Sequence, residues 1–262
     1  MKTDTLSFHL CAIIQESKKD IEEEFKSVYQ SCRNMSGSEN SDVQKGSFGS
    51  GSADEFEQHS EEYDSWYSHH REVYESEVLA IKALDLRGVG LDIGVGTGAL
   101  SYQTGVTVGI DPSLSMLRIA KRRGIQVVRA AGEYLPFRDR FLDYIIMTVT
   151  FCFLDNPRDV LREAWRVLRE EGHLGVCIVT RDSPWGKHYM RKASTGHRFY
   201  RFAKFYTYEE LSGILKENMF ETVSVKSTLS YTPEAEHRVE EPTESTATKG
   251  FICVKSKKLQ RF

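Results

Sequence analysis

The run Leu91-Asp92-Ile93-Gly94-Val95-Gly96-Thr97-Gly98 constrains this chain most: a short apolar strand ends at a carboxylate and turns through three glycines into a helical stretch. Glycine permits the tight turn and lets a ligand lie against bare backbone. The helix that follows offers unpaired N–H groups and the positive end of its dipole. A dinucleotide fingerprint reads G-x-G-x-x-G, its third glycine allowing close helix–strand packing. Here the order is G-x-G-x-G, with Asp92 two positions before Gly94. That arrangement suits a ligand arm bearing an ammonium and a carboxylate better than it suits a pyrophosphate.

Short apolar runs at 89–93, 106–110, 125–128, 144–149 and 174–179 alternate with helical patterns at 113–123 and 157–169. Strands alternating with helices imply βαβ units and a parallel sheet covered on both faces. A helix at about 208–217 and strands at about 222–229 and 250–255 finish the chain, and one long helix is expected from 55 to about 84. Length agrees, since 262 residues suit one α/β domain with appendages.

Toward the N-terminus, Leu6, Leu10, Ile13, Ile14, Ile21, Phe25 and Val28 recur at three- and four-residue steps. They form one apolar stripe on a helix, suited to packing or to a partner helix. Residues 36–53 are rich in Ser and Gly and read as a flexible linker. The expected organisation is therefore a helical appendage at 1–35, a linker at 36–53 and a catalytic domain at 54–262. Residues 5–32 would serve a helix-mediated partner or self-association.

Charge excludes some partners. The net charge is −3 with both signs mixed along the chain, so nucleic acid is not an expected partner. Apolar runs of about eight residues are far short of a membrane span. Cys11, Cys32, Cys152, Cys177 and Cys253 are scattered and form no CxxC pair, which predicts neither a disulfide framework nor a metal site. A cytoplasmic location is expected.

A second carboxylate, Asp111 in Gly109-Ile110-Asp111-Pro112-Ser113, follows Asp92 by 19 positions and can accept both hydroxyls of a ribose. It can also cap the next helix, as can Ser113. A third turn, Ala130-Ala131-Gly132-Glu133-Tyr134-Leu135-Pro136-Phe137, comes where an adenine would lie. Together the three turns select S-adenosylmethionine over a dinucleotide.

The order L-D-I-G-x-G-T-G, G-I-D-P-S, G-E-x-L-P-F and F-L-D-Y resembles the class I S-adenosylmethionine-dependent methyltransferases, in the small-molecule branch related to ubiquinone and menaquinone biosynthesis. Tyr63-Asp64-Ser65-Trp66, Tyr74-Glu75-Ser76-Glu77 and Thr180-Arg181-Asp182-Ser183-Pro184-Trp185-Gly186 are similar to a group of archaeal and bacterial proteins labelled only as such methyltransferases.

The resemblance implies a Rossmann-like, seven-stranded, mostly parallel sheet with helices on both faces and the last strand antiparallel. It implies S-adenosylmethionine held by Asp92, Gly94, Gly96, Gly98, Asp111, Pro112, Met116, Ala131, Gly132, Glu133 and Thr148. Many relatives carry an acidic residue where Ala131 stands, so adenine recognition here would fall to backbone groups and apolar walls. The methyl acceptor would be a small molecule.

The resemblance also implies that the helix carrying Tyr63 and Trp66 folds over the cofactor's methionine end. Tyr63, Trp66, His70 and Tyr74 share one helical face, with Phe151 expected beside them on the acceptor side. His70 is the candidate general base, because a histidine's ordinary pKa lies near neutrality. The basic stretch with Lys187, Arg191, Lys192, Arg198 and Arg201 occupies the place of a substrate lid, which would favour an anionic acceptor. Two other readings stay open: a cofactor-binding regulatory protein without turnover, and an NAD-dependent oxidoreductase disfavoured by the glycine spacing.

Overall fold

A computed structural model describes residues 51–106, 108–245 and 249–260. The expected helical appendage, and the linker as far as residue 50, lie outside the described residues. The helix expected at 55–84 is three helices: α1 (Gly51–Gln58), α2 (Ser60–His69) and α3 (Arg71–Lys82). Both breaks fall at histidines, His59 and His70, whose φ values of −125° and −127° are not helical. At His70 the Nδ1 atom and the backbone N–H both engage the Trp66 carbonyl, at 2.9 and 3.0 Å. A side chain competing for a helix carbonyl in this way interrupts the ladder. Helix α1 takes in the last three residues of the expected Ser/Gly linker, 51–53.

The alternating pattern then unfolds in order. Strand β1 (Gly90–Ile93) leads to α4 (Ala99–Thr104), and β2 (Val108–Asp111) to α5 (Leu114–Arg122). The edge strand β3 (Gln126–Arg129) and β4 (Leu142–Thr148) are followed by a 3₁₀ turn at Phe151–Phe153, α6 (Pro157–Val167) and β5 (Leu168–Val179). Helix α7 (Pro184–Ser194), a 3₁₀ turn at Tyr200–Phe202, α8 (Tyr208–Glu217), β6 (Phe220–Thr228) and β7 (Phe251–Lys258) complete the chain. The helix starts carry local signals: Ser183 accepts the Gly186 N–H ahead of Pro184, and Thr207 with Glu210 forms a capping box.

The seven strands form one sheet in the order β3-β2-β1-β4-β5-β7-β6. All pairings from β3 across to β5 are parallel, and β7 runs antiparallel to both β5 and β6. Strands β1 and β2 are buried at every position, as a strand covered on both faces must be. On one face Tyr144 and Ile146 of β4 pack with Val73, Val78 and Ile81 of α3 and with Trp185 and Tyr189 of α7. Alternation sends Ile145 and Met147, both fully buried, to the other face.

One expectation fails here. Cys177 and Cys253, among the scattered cysteines that predicted no disulfide framework, stand opposite each other in the β5–β7 register and are joined as a disulfide. Residues 76 apart in sequence carry no spacing signal for such a pair. Among the described residues, no helix is long and apolar enough to cross a membrane, and no group of three His, Cys, Asp or Glu could hold a metal ion.

Candidate functional site

Strand order reverses direction between β1 and β4, so the carboxyl edge of the sheet opens there into a crevice. Register places the three expected turns side by side on that edge, since Ile93 pairs with Ile110 and Asp111 with Arg129. The glycine loop is tied across it: Gly94 and Val95 donate their N–H groups to the Ile110 carbonyl at 2.8 and 2.9 Å. Gly94 has φ +73°, and a Cβ there would stand 2.2 Å from Thr150 Cγ2. Thr150 in turn donates its hydroxyl to the Gly94 carbonyl at 3.0 Å. Gly96, at φ +54°, would meet nothing within 4 Å, so its backbone faces open space. Gly98 caps α4 in the left-handed conformation.

Asp92 is 2% exposed. One carboxylate oxygen accepts the Ser101 hydroxyl, and Oδ1 has no partner among the described residues. Burial is the main cause pushing its pKa up to about 7, against the lowering effect of Ser101. The buried Thr97 hydroxyl is likewise unpartnered.

Asp111 accepts the Gly96 N–H at 3.0 Å and the Ser113 N–H at 2.8 Å, one on each oxygen. Burial raises it to about 6. The helix cap itself is Ser113, which accepts the Met116 N–H at 3.2 Å. A residue without a sequence signal also reaches this point. Glu57 of α1 accepts the Ser113 hydroxyl at 2.7 Å and the Ser115 N–H and hydroxyl at 3.1 and 3.0 Å. Burial pushes Glu57 up, but those three bonds outweigh it and hold it below the ordinary carboxylate value.

The third turn follows β3. Ala131 accepts the Tyr134 N–H at 3.2 Å, and Gly132 is buried against Ile93 and Val160. Glu133 is half-buried. Arg166 pins the turn by donating to the Leu135 and Phe137 carbonyls at 3.0 and 2.9 Å. Met116 is buried at 2% exposure, and Pro112 and Thr148 close the ends of β2 and β4. Helix α2 is clamped over the glycine loop by Arg123, whose guanidinium makes two 2.8 Å bonds to Asp64 and a third to the Thr97 carbonyl.

Beyond Thr148 the chain enters a cavity of about 160 Å³. Tyr63 and Trp66 line it, joined by Tyr67, Glu77, Val149, Cys152, Phe153, Tyr189, His197 and Tyr200. Val149 sits there at φ +56°, a conformation costly for a β-branched residue and the kind of strain found at functional turns.

Three expected acceptor-side residues lie outside that lining. His70 stacks on Trp66 with ring centroids 4.5 Å apart, its Nδ1 spent on the Trp66 carbonyl. Tyr74 donates its hydroxyl to the Ala99 carbonyl at 2.8 Å. Phe151 is fully buried against Tyr206, because the 3₁₀ turn points Cys152 and Phe153, not Phe151, toward the cavity.

Burial pushes the Cys152 thiol up to about 12, away from the thiolate form that reacts. The three arginines of the basic stretch are engaged in ion pairs, while its Lys192 lines the cavity. Arg198 faces Glu62 and His59, Arg201 faces Glu55, and Arg191 faces Glu234. His197 is a histidine the sequence did not single out: it lines the cavity with Nδ1 buried and unpartnered. Burial, then the charge of Lys192, lowers its pKa.

The methyltransferase-domain family matches residues 91–176. An uncharacterised protein of Methanocaldococcus jannaschii is 35% identical over 204 residues, 78% of this chain and 98% of the relative. An uncharacterised Mycobacterium tuberculosis protein is 37% identical over 175 residues, 65% of this chain but 61% of the longer relative. Among solved structures, a Thermotoga maritima protein superposes with a TM-score of 0.75 at 34% identity, covering 79% of this chain and 99% of that one. That protein is described as a SAM-dependent methyltransferase, possible histamine N-methyltransferase.

Proposed function

The chain belongs to the S-adenosylmethionine-dependent methyltransferases, and from that premise we propose that it moves a methyl group to a small molecule held in the aromatic cavity. One observation carries the reading. The unpartnered oxygens of Asp92 and Thr97 and the open backbone of Gly96 share a sheet edge with a cavity whose wall begins at Val149, one residue past Thr148. Its volume of about 160 Å³ favours a small acceptor over a macromolecular one.

When bound, S-adenosylmethionine supplies an electrophilic methyl group on a sulfonium. Asp92 would take the ammonium of its amino-acid arm, and the glycine-loop N–H groups its carboxylate. Asp111 would take the ribose hydroxyls with the lone pairs that Gly96 and Ser113 leave free. Ala131, Gly132, Glu133 and Met116 would border the adenine, with Pro112 and Thr148 flanking the site. With so good a leaving group, the chain's own work is alignment and exclusion of water. Tyr63 and Trp66 contribute both by roofing the cavity from α2.

The test is to incubate the full chain with methyl-labelled S-adenosylmethionine and a panel of small amines, phenols, thiols and metalloids, reading the products by mass spectrometry. Label should appear in one acceptor class. Cofactor binding with transfer to none of them would favour the regulatory reading instead.

A further inference from the structure

We infer that the acceptor is a small organic amine and that Glu77 receives its ammonium and then its proton, a step that rests on the methyltransferase reading above. Glu77 lies on α3, 5% exposed, and lines the cavity. Among the described residues no hydrogen bond or ion pair reaches its carboxylate, and burial alone pushes it up to about 8. An unpaired buried carboxylate is costly. A site retains one where the missing partner arrives with the ligand.

The surrounding wall points to the sign of that partner. Tyr63, Trp66, Tyr67, Tyr189 and Tyr200 present aromatic rings around the same space, and ring faces attract cations. An anion would meet Glu77 with no free arginine to offset it, since Arg191, Arg198 and Arg201 are paired with Glu234, Glu62 and Glu55. Lys192 is the one lysine in the lining; it is half-buried, with Nζ 5.9 Å from the Tyr189 ring. A neutral phenol or thiol would offer the carboxylate a hydrogen bond but no opposite charge. The unpartnered Nδ1 of His197 offers a second polar point for the amine or its frame.

The chemistry balances without a further reagent. An ammonium bound at Glu77 gives one proton to the carboxylate, which becomes neutral. The freed nitrogen lone pair forms the N–C bond to the methyl carbon while the carbon–sulfur bond breaks with its electron pair to sulfur. The positive charge passes to the methylated amine; the Glu77 carboxyl then releases its proton to water, and the carboxylate pairs with the new cation.

The experiment uses the full chain saturated with S-adenosylhomocysteine and matched triads such as 2-phenylethylamine, 2-phenylethanol and 3-phenylpropanoate, with alkyl-framed counterparts. Binding is read by calorimetry and methylation by mass spectrometry. Amines should bind in preference to their alcohol and carboxylate partners. Glu77→Gln should weaken amine binding about tenfold or more, as for loss of a charged hydrogen bond, while S-adenosylhomocysteine affinity stays within about twofold. Alcohols binding as well as amines, carboxylates binding best, or no amine binding to a chain that holds S-adenosylhomocysteine would each overturn the proposal and leave the methyltransferase reading standing. Weakened S-adenosylhomocysteine with unchanged amine binding would also overturn it, since Glu77 would then serve the cofactor. A folded chain that fails to bind S-adenosylhomocysteine would instead overturn the methyltransferase reading.

Discussion

Gly94 illustrates how one residue can be required twice. Its φ of +73° costs an L-residue about 1–2 kcal/mol, and any Cβ would run into the Thr150 side chain, whose hydroxyl bonds the Gly94 carbonyl. Gly94→Ala should therefore lower stability by about 2 kcal/mol or more and loosen the join between the β1 and β4 turns. Chemical denaturation of the variant would show the loss, and an unchanged midpoint would mean the loop relaxes freely. The buried carboxylates make a second prediction. Asp111, Asp92 and Glu77 are raised to about 6, 7 and 8, all by burial. The folded chain thus binds more protons than the unfolded one, and this stabilisation, complete below the ordinary carboxylate range, is lost as pH rises through those values. The melting temperature of the cofactor-free chain should fall between pH 7 and 9, and Glu77→Gln should flatten the fall. A flat or rising profile in the native chain would contradict the buried, unpaired state of Glu77.

At the scale of elements, the strand–helix alternation and the three turns on the carboxyl edge were legible because their signals are local: apolar runs, glycines and a carboxylate at each strand end. The acceptor cavity was not. Glu77 falls at four-residue steps between Val73 and Ile81 on the apolar face of α3, but the cavity it lines is completed by Tyr189, His197, Tyr200 and Phe205, more than a hundred positions downstream. Separation in sequence also hid His197, and hid Glu57, whose partners lie 56 and 58 positions away. His70 and Tyr74 share a face with Tyr63 and Trp66 only in an unbroken helix, and the break at His70 removes that premise. The segment that closes the cavity is held by Arg198 to Glu62 at 2.8 Å and by Arg201 to Glu55. Such partly exposed pairs each contribute about 0–1 kcal/mol. Replacing both arginines with alanine should leave the fold intact yet raise the acceptor KM several-fold, with kcat changed less. A large stability loss with unchanged KM would assign them to the fold and not to the closure.

The described residues combine a crevice built from strand ends, proposed for the methyl donor, with a cavity built from helices α2, α3 and α7 and the turns around them, proposed for the acceptor. The sheet supplies rigidity: β1, β2 and most of β4, β5 and β7 are buried, so the strand ends are fixed relative to one another. The helices supply identity, since no donor-side motif names the acceptor. The central claim, that the glycine-loop edge holds S-adenosylmethionine, is tested most directly by titrating S-adenosylhomocysteine and NAD separately into the full chain in a calorimeter, alongside Asp111→Ala. The account predicts one S-adenosylhomocysteine per chain, no heat from NAD, and a loss of about 2 kcal/mol in the variant, as for a charged hydrogen bond removed. Binding of NAD with none of S-adenosylhomocysteine would contradict it.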